Sequence, residues 1–277
     1  MERTSNRTPD VLDSSLKDFH RVIEFGLRVS LRLRGQPTND AGYFASIIHT
    51  KMSINAISLE TLCKSEIFDH SAVMTICRMI IEGMTLFYYL IEKVENTQWQ
   101  CRELVLKLHD SCARIKLLRA HLQKGEYQDI SDERKSFQAE LNKNSYFQEL
   151  PAEQQKKLLT GEHIFVGGMR AAATRAAGWR EENFIALYNY FSSHSHSAPM
   201  SFMRFDQHKV DFSEPSEIQR NMVAMAINVA EFCLLRATMH RLVKSPAFDE
   251  FKGPELDEFQ RELQESKILT GSGCGQS

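Results

Sequence analysis

The stretch Asp69–Lys93, DHSAVMTICRMIIEGMTLFYYLIEK, constrains the fold more than any other part of the chain. It is apolar almost all the way round, the pattern of a helix buried on most sides rather than laid on a surface. Arg78 and Glu82 interrupt it four residues apart, and so on one face. Charges in a core are costly unless partnered, so the pair calls for groups from another element. The segment that offers them is Trp179–Ser197, WREENFIALYNYFSSHSHS, where Tyr188, Ser192 and His196 recur every four residues along one helical face. The two patterns together predict that these helices meet and form a polar centre.

The flanking sequence reads as further helices. After a loose terminus at 1–9, Asp10 opens a helix with Leu12, Leu16, Phe19, Ile23 and Leu27 in period, stopped by Gly35 and Pro37. Asn39 or Asp40 caps the next, to about Ser65, with Phe44, Ile47, Ile48, Met52, Ala56, Leu59 and Leu62 inward. A third begins near Asn96 and carries Arg102, Lys107, Arg114, Lys116, Arg119 and Lys124 on a side read as solvated. The segment at about 126–160 is rich in Glu, Gln and Lys and reads as a polar insertion with two short helices. Met200–Phe212 alternates loosely, like a small extended lid. A long last helix runs from about Pro215 to Val243, and a polar tail follows over 246–277. No alternating strand pattern competes. The expected fold is all-α, a bundle of about five long helices with short additional ones, forming one domain over 10–245.

Composition narrows the function classes. Net charge is −2, so no global field recruits nucleic acid or an anionic membrane. A local patch is the remaining route, and Arg170, Arg175 and Arg180, free of acids until Glu181, are the candidate phosphate or nucleic-acid surface. The six cysteines form no CxxC pair, and free thiols in a reducing cytoplasm are expected. The polar N-terminus has no apolar core of a signal peptide. Met222–Leu235 contains Asn228 and Glu231 and reads as too short and polar to span a bilayer, so no membrane is expected. His194 and His196 lie two apart, about 200° round a helix, and cannot share a metal without a bend; no metal and no cofactor are expected.

The candidate chemistry rests on Arg78, Glu82, Tyr188, Ser192 and His196. Arg78 can bind phosphate or carboxylate as a planar fork. Glu82 can orient a histidine, and His196 can act as an acid or base. A buried Arg–Glu pair that merely sets helix register explains the same residues without any activity.

An Ala-x5-Arg-x3-Glu helix (Ala72, Arg78, Glu82), followed about a hundred residues later by Tyr-x3-Ser-x3-His (Tyr188, Ser192, His196), resembles an uncharacterised bacterial family of all-helical proteins. That family is similar to the HEPN superfamily, the higher eukaryotes and prokaryotes nucleotide-binding domain. The resemblance covers roughly 40–243. It implies either a ribonuclease of a toxin or phage-defence system or a catalytically inactive binding module. Active HEPN nucleases carry Arg-x4-6-His near the start of a late helix. Here that spacing occurs in Arg102/His109 and Arg114/His121, both on the mid-chain basic helix. The leading expectation is therefore a binding or effector module of bacterial stress or phage defence, with RNA or a nucleotide as partner and a homodimer as a possible assembly. The alternatives are a metal-independent endoribonuclease using His196 and Arg78, and a structural oligomerisation bundle.

Overall fold

A computed structural model describes residues 10–36, 38–121 and 124–265. Among them the helices are α1 (Val11–Arg32), α2 (Asp40–Cys63), α3 (His70–Ile91), α4 (Asn96–Leu118), α5 (Gln128–Lys143), α6 (Ser145–Glu149) and α7 (Ala152–Leu159). They continue as α8 (Met169–Ala171), α9 (Glu181–Ser195), α10 (Pro199–Phe202), α11 (Phe205–His208), α12 (Glu217–Val243) and α13 (Pro254–Glu265). No strand occurs among the described residues, and the fold is all-α. The expected loose terminus at 1–9 and the far end of the tail, with Cys274, lie outside the described residues.

The helix starts follow from capping chemistry. Backbone N–H groups in the first turn have no intrahelical acceptor, and a short oxygen-bearing side chain supplies one. Asp10 accepts from Leu12 N at 3.0 Å, Asn39 from Gly42 N at 2.9 Å and Asp69 from Ala72 N at 3.0 Å. Ser216 and Gln219 form a reciprocal capping box that starts α12.

The chain divides into two compact units, one of residues 10–91 with 177–265 and the other Glu92–Ala176. In the first, α3 is the centre: it packs on α2, α9 and α12, while α1 packs on α12. Val73, Met74, Cys77, Ile80, Ile81, Met84 and Phe87 of α3 are buried, as its sequence demands. Gly83 sets the α2–α3 approach, since a Cβ there would lie 2.6 Å from Cγ of Met52. Both α3 and α12 are long and apolar enough to cross a membrane by length and composition, and 56% and 72% of those windows are inside the protein. The run read as too short, Met222–Leu235, is thus part of a longer helix whose apolar surface is spent on packing.

Several expectations change. On α2 the buried residues are Ala45, His49, Met52, Ser53, Ala56, Leu59 and Glu60, whereas Phe44 and Ile47 are exposed. The inward face is rotated because His49 finds polar partners, with Thr238 Oγ1 at 2.8 Å, Arg241 at 2.9 Å and Ser30 Oγ at 3.2 Å. The expected extended lid is two short helices, α10 and α11, ended by Lys209 in the left-handed region. The expected polar tail contains α13, whose Leu256 and Phe259 are buried. Phe259 lies 4.8 Å from Phe25 between ring centroids, and Glu258 and Glu255 pair with Arg21 and Arg28 of α1 at 2.6 Å each.

In the second unit, Cys101, Val105, Leu108 and Cys112 of α4 pack with Leu141, Phe147, Leu158 and Val166. The stretch read as an insertion from about 126 thus shares a core with α4, because Leu141, Phe147 and Leu158 bury their side chains against it. Arg102, read as part of a solvated side, is fully buried (0% exposed) and reaches Glu92 at 2.5 Å.

Candidate functional site

The α3–α9 contact lies within the first unit. Phe184 and Phe191 anchor α9 by burial, and Trp179 just before it packs on Phe232 of α12 with centroids 5.9 Å apart. This leaves the Tyr188 face of α9 against the Arg78 face of α3. Each of the three guanidinium nitrogens of Arg78 makes one contact: Nε donates to Glu82 Oε1 at 2.9 Å, one terminal nitrogen donates to Tyr188 Oη at 3.1 Å, and the other meets His196 Nε2 at 2.9 Å. Tyr188 donates in turn to Glu82 Oε1 at 3.0 Å. The arginine also lies 5.1 Å from the centroid of the Tyr188 ring, which stacks on Phe184 at 5.4 Å and 21°.

The network is half-buried, with side-chain exposure of 19% at Arg78 and 33% at Glu82. Burial opposes the Arg78 cation, yet Glu82 and Tyr188 outweigh it and raise its pKa. Burial and then Glu82 raise that of Tyr188, which keeps its proton for the carboxylate. His196 is exposed, at the C-cap of α9, where the left-handed Ser197 ends the helix. Arg78 has no lone pair to offer, so its contact with Nε2 requires a neutral imidazole with its proton on Nδ1.

Four of the five expected residues therefore come together. Ser192 contributes only its carbonyl oxygen, which accepts the His196 N–H at 3.1 Å, and its hydroxyl stands outside the network. Of the expected basic surface, Arg175 is exposed but pairs with Glu92 at 3.0 Å. Arg170 is exposed on α8, and Arg180 is the exposed N-cap of α9. Arg170 and Arg175 belong to one unit and Arg180 to the other. The Arg-x6-His pairs are used locally: His109 Nδ1 lies 2.8 Å from Gly161 O, and Arg114 approaches Asp110 and Glu133. Among the described residues no cluster of three His, Cys, Asp or Glu could hold a metal ion, and the described cysteines are free.

Sequence reasoning missed the other side of α9. His194 points inward, opposite to His196, against His70 and Tyr190, with ring centroids 5.6 and 5.1 Å away. The i, i+4 spacing of Tyr190 and His194 was visible, but nothing in sequence paired it with His70.

Fold and site define a class: an all-helical protein in which a charged pair on a central apolar helix is locked to a Tyr–His face of a second helix. The chain belongs to the family of unknown function DUF5677, whose model matches residues 43–213. The match contains the whole Arg78–His196 network and all of the second unit, and leaves out α1, α12 and α13. No curated protein and no solved structure matches the chain.

Proposed function

We propose that this chain is a binding module of the HEPN-like kind that takes a phosphate group of RNA or a nucleotide at the Arg78–His196 rim. The setting is the one the resemblance implies, the cytoplasm of a bacterium under stress or phage attack. The observation that carries the reading is the 2.9 Å contact between Arg78 and His196 at an exposed helix end. Both groups can donate to an oxyanion, Arg78 through its remaining N–H groups and His196 through the ring nitrogen turned away from Arg78. Glu82 and Tyr188 hold the guanidinium in place, so the fork is oriented in advance. The same exposed histidine beside a fixed arginine favours a second reading, metal-independent RNA cleavage, with His196 as acid or base and Arg78 stabilising charge on the phosphate.

The test uses fluorescence anisotropy with a labelled single-stranded RNA, and gel analysis of the same RNA with and without EDTA. Binding without cleavage, lost in His196→Ala at unchanged thermal stability, supports the module. Cleavage that survives EDTA and disappears in His196→Ala and Arg78→Ala supports the nuclease. Neither binding nor cleavage across RNAs and nucleotides rejects both, and leaves the network as a device that fixes the α3–α9 register.

A further inference from the structure

A cavity of about 300 Å³ lies behind α9, on the side away from His196, lined by residues that include His70, Tyr190, His194, Arg204, Phe205 and Met222. Its wall is unusual in polar bookkeeping. His70 is 3% exposed and His194 6%, and His70 Nδ1, His194 Nε2 and Tyr190 Oη are buried with no hydrogen-bond partner. A buried polar atom without a partner costs on the order of 1–3 kcal/mol, and here three residues of one cavity wall each carry one. Natural cores keep such groups paired, and an exception points to a role other than packing.

The chemistry of the wall specifies the ligand. Ser71 Oγ lies 3.2 Å from His194 Nδ1; with Ser71 donating, the ring proton sits on Nε2, the unpartnered atom, which becomes a donor. Tyr190 Oη is a second donor. Arg204, on the exposed lip, brings a permanent cation. Burial, with His70 alongside, holds His194 down at about 4, and burial chiefly lowers His70, with Asp69 opposing in both, so the two rings are neutral beside the Arg204 cation. Phe205, Met200, Val210 and Met222 line the rest of the cavity and suit an apolar body.

We propose that this cavity binds a small organic anion, with a phosphate head against Tyr190, His194, His70 and Arg204 and an apolar body among Phe205, Met200 and Met222. Phosphate suits the wall better than carboxylate because its three terminal oxygens can accept from more donors than a carboxylate's two. The volume sits at the small end of ligand cavities and suits a single ring with one phosphate. This site is separate from the Arg78–His196 rim and goes beyond the function proposed there.

The test is titration of the full chain with phenyl phosphate, inorganic phosphate and benzyl alcohol, followed by thermal shift and calorimetry, in the wild type, Tyr190→Phe and His194→Gln. Phenyl phosphate should raise Tm in a saturable way and bind more tightly than either probe that carries only half of its chemistry. Tyr190→Phe removes an unpartnered hydroxyl, so the unliganded protein should be at least as stable, while affinity falls about tenfold for one lost hydrogen bond. Unchanged affinity in both variants, or no saturable binding of phenyl phosphate, overturns the proposal. RNA binding measured in parallel should not respond to Tyr190→Phe, which keeps failure at this site distinct from failure at the rim.

Discussion

Removing Arg78 should cost far more than its appearance as an i, i+4 partner of Glu82 suggests. An exposed pair of that kind contributes about 0.3–0.5 kcal/mol. Arg78, however, bridges three side chains from two helices at 2.9, 3.1 and 2.9 Å while only 19% exposed. Hydrogen bonds to charged groups contribute about 1.5–3 kcal/mol each when buried. Halving that for partial solvation, and giving the exposed His196 contact little weight, leaves about 1.5–3 kcal/mol for Arg78→Ala. At roughly 2–4 °C per kcal/mol for a protein of this size, Tm should fall by about 3–12 °C in a calorimetric scan. Tyr188→Phe should cost less, because the Phe184 stack survives, and the double variant should show coupling of about 1 kcal/mol through the shared bonds. A fall below about 2 °C with no coupling, the range of a plain surface pair, would refute the reasoning that these bonds join α3 to α9.

Acid should destabilise the fold well before its carboxylates titrate. Burial and then Arg241 hold His49 at about 3, burial and His70 hold His194 at about 4, and burial with Lys244 and Arg236 holds His240 at about 4. The unfolded chain binds protons below pH ~6.5 that the folded chain refuses, so stability is full above that pH and drops toward pH 4, by on the order of 2 kcal/mol per group; urea melts at pH 7 and 4.5 measure it. Glu231 has the opposite sign. Burial, reinforced by Glu262 and Asp18, lifts it to about 8, so its contribution is full below pH ~4.5 and is lost as pH rises toward 8. Glu231→Gln should therefore stabilise the protein at pH 7 by about 3 kcal/mol and change little at pH 4.5, as read from paired urea melts. In the second unit, Arg102→Ala should cost about 2–5 kcal/mol, because it opens a void at a fully buried position and leaves Glu92 with Arg175 as its remaining arginine partner; loss of amide-exchange protection across α4 checks it.

The encounter of α3 with α9 was legible because a charged pair inside an all-round apolar helix leaves few ways to be satisfied, and one segment carried a matching polar stripe. The caps at Asp10, Asn39 and Asp69 were legible for the same local reason: each satisfies the first turn of its own helix. Which face of a nearly uniform helix turns inward was not. On α2, Phe44 and His49 compete for the interior, and His49 wins because Thr238 and Arg241, far along the chain, satisfy its ring. Arg102 looked like a member of a basic stripe until Glu92 supplied its partner. α13 was hidden by a polar composition that conceals two buried residues, Leu256 and Phe259, on one stripe. The His70–Tyr190–His194 wall could not be read either, since its members come from two helices and only the folded chain brings their orphaned atoms together.

The proposed function stands on a phosphate docking where Arg78 meets His196. The most direct measurement is NMR of the histidine ring and arginine Nε–H signals while a short RNA dinucleotide is titrated in. The account predicts saturable shifts at His196 and Arg78, lost in His196→Ala, with the His194 ring unmoved. Signals of His196 and Arg78 that stay fixed while the dinucleotide binds elsewhere, or throughout a titration with no binding, would contradict it.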